Sequence, residues 1–291
     1  MKILISDSFD PSLPGKLAQF GEVFDDKARL GEAEVILIRS KTKANRDLID
    51  QAPHLKVIIR GGVGLDNVDR EYAQSRGILV FNTPEASSVA VAELAFALLI
   101  ALPNRVVEGH TSMAEGKWLK KELKRTELLG KTLGLIGCGR IGREVAARAA
   151  AFGMKVLAYD VVPVAYPAIT QVDGLEALVA EADYLSLHTP LTPSTRGLVN
   201  AELIAKMKRG VKIVNTARAA VIVEDDLRAA LESGQVGGYA TDVWPSDPPD
   251  PGYPLLHAPN VIMTPHIGAS TSENLLRIGE QIVQILSQQN L

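Results

Sequence analysis

Short β-branched runs alternate with helical segments, and a glycine-rich signature between strand and helix sits at mid-chain. Together they predict an α/β protein built as two doubly wound parallel sheets, because strands separated by helices need right-handed crossovers. In chain order, Ile3–Ser6, Val35–Ile38, Lys56–Ile59 and Ile78–Phe81 read as strands with helices between them. A long apolar stretch follows at Ser87–Leu102, interrupted by Glu93 and stopped by Pro103. It is shorter than the roughly 18 residues of a bilayer span, so it reads as a buried helix. A second series comes next: Thr132–Ile136, Lys155–Tyr159, Tyr184–Leu187, Lys212–Asn215, Gly238–Val243 and Val261–Thr264. Pro245 to Pro259, dense in Pro and Asp, reads as an exposed excursion, and Ser272–Leu286 as a closing helix.

Composition narrows the function. The 291 residues suit two domains, and 46% hydrophobic with 22% charged residues excludes disorder. A net charge of −3 and 5% aromatics speak against a nucleic-acid partner. The lone Cys138 excludes a disulfide framework and a cysteine zinc site. No metal and no membrane partner are expected, and with no targeting segment at Met1–Asp7 a cytoplasmic location is.

The signature is Gly137-Cys138-Gly139-Arg140-Ile141-Gly142, after the strand Thr132–Ile136 and before a helix read at Arg143–Phe152. Gly137 permits a tight turn, Gly139 lets backbone approach a pyrophosphate, and Gly142 lets helix pack on strand. Asp160 ends the next strand, 18 residues beyond Gly142. A carboxylate there can accept both ribose hydroxyls of NAD and repel the phosphate of NADP, and no Arg follows it to receive one. NAD is therefore the expected cofactor. Because the signature falls mid-chain, the preceding half must be a separate domain, with the active site in an inter-domain cleft. The expected division is residues 1–94 with 272–291, and residues 95–271 for the Rossmann-like NAD domain.

Two side chains stand where open α/β sheets present ligands, and a third is a candidate partner for one of them. Arg218 follows its strand in Asn215-Thr216-Ala217-Arg218, as either a surface Arg or one whose planar fork suits a substrate carboxylate. His266 closes the last strand in Thr264-Pro265-His266 and can exchange a proton near neutrality. Asp247 lies on the Pro-rich excursion, as either a solvated turn carboxylate or the charge partner of His266. His188 ends a strand before Thr189-Pro190 and reads as a wall on the cofactor side; Cys138 needs only to be small.

Taken with Ile38-Arg39-Ser40, Arg60-Gly61-Gly62-Val63-Gly64-Leu65-Asp66-Asn67, Val91-Ala92-Glu93-Leu94, Asp242-Val243-Trp244 and Thr264-Pro265-His266-Ile267-Gly268, these motifs resemble the D-isomer-specific 2-hydroxyacid dehydrogenases nearly end to end. Within that family the likeness is strongest to the branch that oxidises 3-phosphoglycerate in serine biosynthesis. The resemblance implies that Arg218, Asp247 and His266 are catalytic. It places Gly137, Gly139, Arg140, Ile141, Gly142, Asp160, His188, Thr189, Thr216, Asp242 and Gly268 at the cofactor. Arg39, Ser40, Arg60, Gly61 and Gly62 would meet a small phosphorylated 2-hydroxy or 2-oxo acid. Lys120 and Lys121 would reach it from a loop, Lys117 to Lys131, with six basic and two acidic residues.

A homodimer through the NAD domain is implied as well, its main contact being the long helix and the following loop. The chain departs from the branch at Asp247, where Glu is usual, and at Ala219-Ala220, where Gly-Gly is usual. It also has Lys120-Lys121-Glu122-Leu123 in place of Arg-Lys-Lys-Phe. No appended regulatory domain is expected after Leu291. Rival readings are a glyoxylate, hydroxypyruvate or D-lactate reductase, and an NAD-sensing binding protein like the C-terminal-binding corepressors.

Overall fold

The computed structural model describes residues 1–289, and its contacts divide the chain into two units. One comprises Met1–Ala90 with Ala269–Leu291, the other Val91–Gly268. The last two positions of the expected 272–291 segment lie outside the described residues.

The first unit is a five-stranded parallel sheet of β1 (Lys2–Ile5), β2 (Glu22–Phe24), β3 (Val35–Ile38), β4 (Val57–Arg60) and β5 (Leu79–Asn82), in the order β2-β1-β3-β4-β5. All four residues of β3 are buried, as a strand covered on both faces requires. Its period of two is visible in the packing. Ile36 and Ile38 join Leu4, Ile49 and Ile58 on one face, and Val35 and Leu37 join Ile3, Val57 and Ile59 on the other. That second face is closed by the helix Ser272–Gln288, which lays Ile278, Ile282 and Leu286 on it at spacings of four. Each is at most 1% exposed, and burial of such a side chain contributes about 1.5–3 kcal/mol. Thr271 starts the helix by accepting the N–H of Asn274 at 3.1 Å.

The second unit is a seven-stranded parallel sheet: β6 (Thr132–Ile136), β7 (Lys155–Tyr159), β8 (Thr170–Gln171), β9 (Tyr184–Leu187), β10 (Val211–Asn215), β11 (Val236–Thr241) and β12 (Val261–Met263). The order β12-β11-β10-β9-β6-β7-β8 reverses direction between β6 and β9, the switch point where such sheets open a ligand crevice. The helix Ser88–Asn104 packs Ala92, Ala95, Phe96, Leu99 and Leu102 against Leu133, Leu135 and Val145, so its apolarity is spent inside its own unit.

Four expectations are corrected. Pro103 does not stop the long helix but lies within its last turn, where Asn104 Nδ2 donates to the Ile100 carbonyl and Thr126 N to that of Pro103. The chain turns at Arg105, φ 51°, and resumes as the helix Val106–Ala114. The helix after the glycine signature begins at Arg140, not Arg143, because Gly139 already has extended N-cap geometry. The strands β2 and β8 went unseen because short edge strands carry little apolar pattern. The Pro-rich excursion is anchored rather than wholly exposed. Tyr253 and Leu255 are buried in the core, and Trp244 meets the Tyr253 ring edge-on, with centroids 5.9 Å apart.

Candidate active site

The glycine signature is built for close approach. Gly137 has φ 87°, and a Cβ there would lie 2.8 Å from the His188 carbonyl oxygen. A Cβ on Gly142 would lie 2.9 Å from the Gly137 oxygen, so this glycine sets how closely the helix Arg140–Ala151 packs. Gly139 is different. A Cβ there would meet no protein atom within 4 Å, so its missing side chain leaves room in front of the loop. No side chain caps the helix at Gly139, and an α-helix's first-turn N–H groups point out of its end. Such an end attracts an anion.

Asp160 follows β7 and faces this loop. Its Oδ2 accepts the Cys138 N–H at 2.7 Å and its Oδ1 that of Val162 at 3.1 Å. Across the switch point, Thr189 after β9 and Thr216 after β10 each bury a hydroxyl that has no hydrogen-bond partner among the described residues. Buried hydroxyls are rarely left so. The open space at Gly139, the uncapped helix and the two orphaned hydroxyls fit a bound dinucleotide. His188 lies beside them, its Nε2 sharing a hydrogen bond of 2.8 Å with Ser186 Oγ. Burial pushes its pKa down from 6.5 to about 4.

The ends of β10, β11 and β12 carry the side chains expected to be catalytic. Asn215, fully buried, accepts the Ala217 N–H with its side-chain oxygen at 3.0 Å and donates to the Arg218 carbonyl at 3.0 Å. This frame turns Arg218 out of the strand. Asp242, 3% exposed, accepts three donors: Thr264 Oγ1 at 2.6 Å, Ile267 N at 2.8 Å and Gly268 N at 2.8 Å. The clamp fixes the turn in which His266 adopts φ 56°, a left-handed conformation that costs a non-glycine residue about 1–2 kcal/mol. Gly268 must be glycine, since a Cβ would come within 2.9 Å of Asp242.

His266 Nδ1 then lies 2.5 Å from Asp247 Oδ2, with each side chain about one-third exposed (34% and 35%). The two open readings of Asp247 are thereby reduced in the structure to a contact. Trp244 steadies the approach to Asp247, its Nε1 donating to the Thr264 carbonyl at 3.0 Å. Asn215 and Thr264 carry no role in the sequence pattern, although they stand in the motifs around Arg218 and His266. Their signal was a polar residue at the end of an apolar strand.

In the first unit Arg39 follows β3 and Arg60 ends β4, on neighbouring strands paired Ile38 with Arg60. Arg39 donates to the carbonyls of Ser8 at 3.2 Å and Ala269 at 3.1 Å, and burial pushes its pKa down. Gly62, φ 138°, leaves the space that the Arg60 guanidinium crosses, and its N–H is held by the buried Thr83 hydroxyl at 2.7 Å. Ser40 and Gly61 stand at the same two strand ends, with Gly61 N donating to the Ile38 carbonyl at 2.8 Å. Lys120 and Lys121 belong to the second unit, on an exposed turn, and neither side chain bonds another described residue.

Residues 96–268 match the family model described as D-isomer specific 2-hydroxyacid dehydrogenase, NAD binding domain. A hydroxypyruvate reductase of Thermotoga maritima is 49% identical across 87% of this chain and 83% of its own length. A D-3-phosphoglycerate dehydrogenase of Rattus norvegicus is 44% identical across 97% of this chain, which spans only 55% of that longer protein. Among solved structures, D-lactate dehydrogenase from Aquifex aeolicus, complexed with NAD and lactic acid, superposes with a TM-score of 0.87 at 31% identity, covering 98% of this chain and 94% of that one.

Proposed function

Because the chain belongs to the D-isomer specific 2-hydroxyacid dehydrogenase family of NAD-dependent oxidoreductases, we propose that it oxidises D-3-phosphoglycerate to 3-phosphohydroxypyruvate. The observation that carries the reading is the contact between His266 Nδ1 and Asp247 Oδ2. It commits one ring nitrogen and leaves Nε2 to take the proton of the C2 hydroxyl. Asp247 orients the ring and stabilises the imidazolium that results. Arg218 holds the substrate carboxylate with its planar fork. NAD, when bound, supplies the acceptor for the hydride that leaves C2. Arg39, Ser40, Arg60, Gly61 and Gly62 take the rest of the substrate, with the two guanidinium groups toward its phosphate. Lys120 and Lys121 extend that charge from their loop.

The protein acts as a cytoplasmic homodimer joined through the NAD-binding unit. Support comes from apolar side chains left exposed after the long helix, above all Trp118 at 73% and Leu129 at 71%. The division into residues 1–94 with 272–291 and residues 95–271 is kept as the functional one.

One observation favours a second reading. The hydroxypyruvate reductase relative is more similar, and this chain covers more of it. Steady-state rates on phosphohydroxypyruvate and hydroxypyruvate separate the two. The first reading expects kcat/KM at least about tenfold higher for the phosphorylated acid, with that preference shrinking in Arg39→Ala and at high salt. Equal values select the reductase. Tight NAD binding without turnover of any 2-hydroxy acid overturns both and leaves a sensor.

A further inference from the structure

Gln171 lies on the short edge strand β8, which pairs with β7 so that Gln171 stands opposite Ala158. The pairing is held by Val172 N, which donates to the Ala158 carbonyl at 2.9 Å. From this position the Gln171 side chain reaches the loop that leaves β7 through Asp160. Its amide oxygen accepts the Val164 N–H at 2.8 Å, and its amide nitrogen donates to the carbonyls of Val162 at 3.2 Å and Asp160 at 3.4 Å. One side chain therefore ties three backbone groups between Asp160 and Val164 to the edge of the sheet.

That loop sets the Asp160 carboxylate. Oδ1 accepts the Val162 N–H at 3.1 Å, a bond between residues two apart that persists only while the Val162 backbone keeps its orientation. Gln171 fixes the same backbone from its carbonyl side. It also determines which donors the loop can offer. A phosphate beside the ribose would need a cation or free backbone N–H groups. Pro163 has no N–H, that of Val162 is held by Asp160, and that of Val164 by Gln171. The side chains of Val161 and Val162 are exposed and apolar. The carboxylate is thus followed by a ledge poor in donors.

We propose that Gln171 is a positioning residue for nucleotide choice. It sets Asp160 for the ribose hydroxyls of NAD and withholds the Val164 N–H from a 2′-phosphate. The proposal rests on Asp160 meeting the ribose, and it adds a residue that acts through the loop.

Calorimetric titration of the full chain with NAD and with NADP, without substrate, tests it. Gln171→Met keeps the reach of the side chain and removes all three hydrogen bonds. Its Kd for NAD is expected to rise roughly fivefold while that for NADP stays level or falls, so the ratio between them shrinks at least about fivefold. The KM for NAD should rise in parallel, with kcat at saturating NAD within about twofold of wild type. Gln171→Glu keeps an oxygen for the Val164 N–H but turns a second oxygen toward two carbonyls. It should weaken NAD as Gln171→Met does, without improving NADP. Thr170→Ala, at the exposed neighbour on β8, should alter neither constant. Equal weakening of both nucleotides in Gln171→Met, or an unchanged ratio, overturns the proposal and leaves Gln171 a tie of the sheet edge alone. If Asp160→Ser narrows the ratio and Gln171→Met does not, Asp160 keeps its place at the ribose and only this proposal falls. Equal wild-type affinity for NAD and NADP removes both.

Discussion

His266 Nδ1 and Asp247 Oδ2 are 2.5 Å apart, and neither residue reaches that contact by the conformation of its own strand. His266 is carried there by a left-handed turn pinned by Asp242, and Asp247 by an excursion anchored through Tyr253 and Leu255. The distance matters because Asp is one methylene shorter than the Glu that the resemblance leads one to expect at this position. Here the loop brings the shorter side chain to full hydrogen-bonding distance. Removing His266 with Ala should cost about 10²–10⁴ in kcat, since the proton then has no positioned acceptor. Asp247→Ala should lose roughly a hundredfold, and Asp247→Glu should stay within about tenfold of wild type. Steady-state rates with circular dichroism as a folding control check the three. Wild-type rates in Asp247→Ala would make the carboxylate a bystander.

Asp160 is expected to decide the nucleotide. Both of its oxygens already accept backbone N–H groups, and this holds the carboxylate at the strand end. The residues that follow, Val161 at 88% exposure and Val162 at 59%, offer no cation to a 2′-phosphate. NAD should be preferred over NADP by at least about tenfold in kcat/KM, about 1.4 kcal/mol. Asp160→Ser should narrow that ratio. Equal use of both cofactors by the wild type would remove Asp160 from the ribose.

The two glycines of the signature separate folding from binding. Gly137→Ala meets both a positive φ and a carbonyl 2.8 Å away, so the fold should lose about 1–3 kcal/mol. Gly139→Ala meets nothing within the protein. Its thermal midpoint should hold within about 2 °C, while NAD affinity falls at least about tenfold because the methyl occupies the space before the loop. Thermal melts and calorimetric NAD titrations of both variants check this. A Gly139→Ala protein that binds NAD normally would place the pyrophosphate elsewhere.

Where the sequence was legible, local pattern and environment agreed. The residues of β3 are buried on both faces, and their β-branched run says so without help. Gly137, Asp160, Arg218 and His266 stand at strand ends because each breaks an apolar run. What stayed hidden depends on which contacts the folded backbone lets a side chain make, near or far in sequence. Asn215 looks like the end of a strand until its side chain is seen framing Arg218, and Asp242 serves the His266 turn some 25 residues on. The helix Ser88–Asn104 shows a related ambiguity. Its apolarity suits a subunit contact as well as a core, and packing against Leu133 and Leu135 assigns it to the core.

His188 makes the stability of the fold depend on pH in a defined window. Burial holds its imidazole neutral in the native state down to about pH 4, whereas the unfolded chain takes up the proton near 6.5. Above 6.5 both states are neutral and the residue makes no difference. As pH falls below 6.5 the unfolded state gains a proton the native state refuses, and stability declines until about pH 4. The limit is 1.36 kcal/mol per pH unit, and partial exposure of the ring reduces it, so about 1–2 kcal/mol should be lost between 6.5 and 4.5. Glu32, held down to about 2 by Arg29 and then Lys2, releases its own contribution only below 4.5, which leaves the upper window clean. His188→Gln cannot titrate and should flatten the decline while keeping a side-chain amide beside Ser186. Urea unfolding of both proteins at pH 7, 5.5 and 4.5 gives the comparison. Parallel loss in the two would show that the His188 ring is hydrated enough to protonate in the native state, and that some other group governs the acid limb.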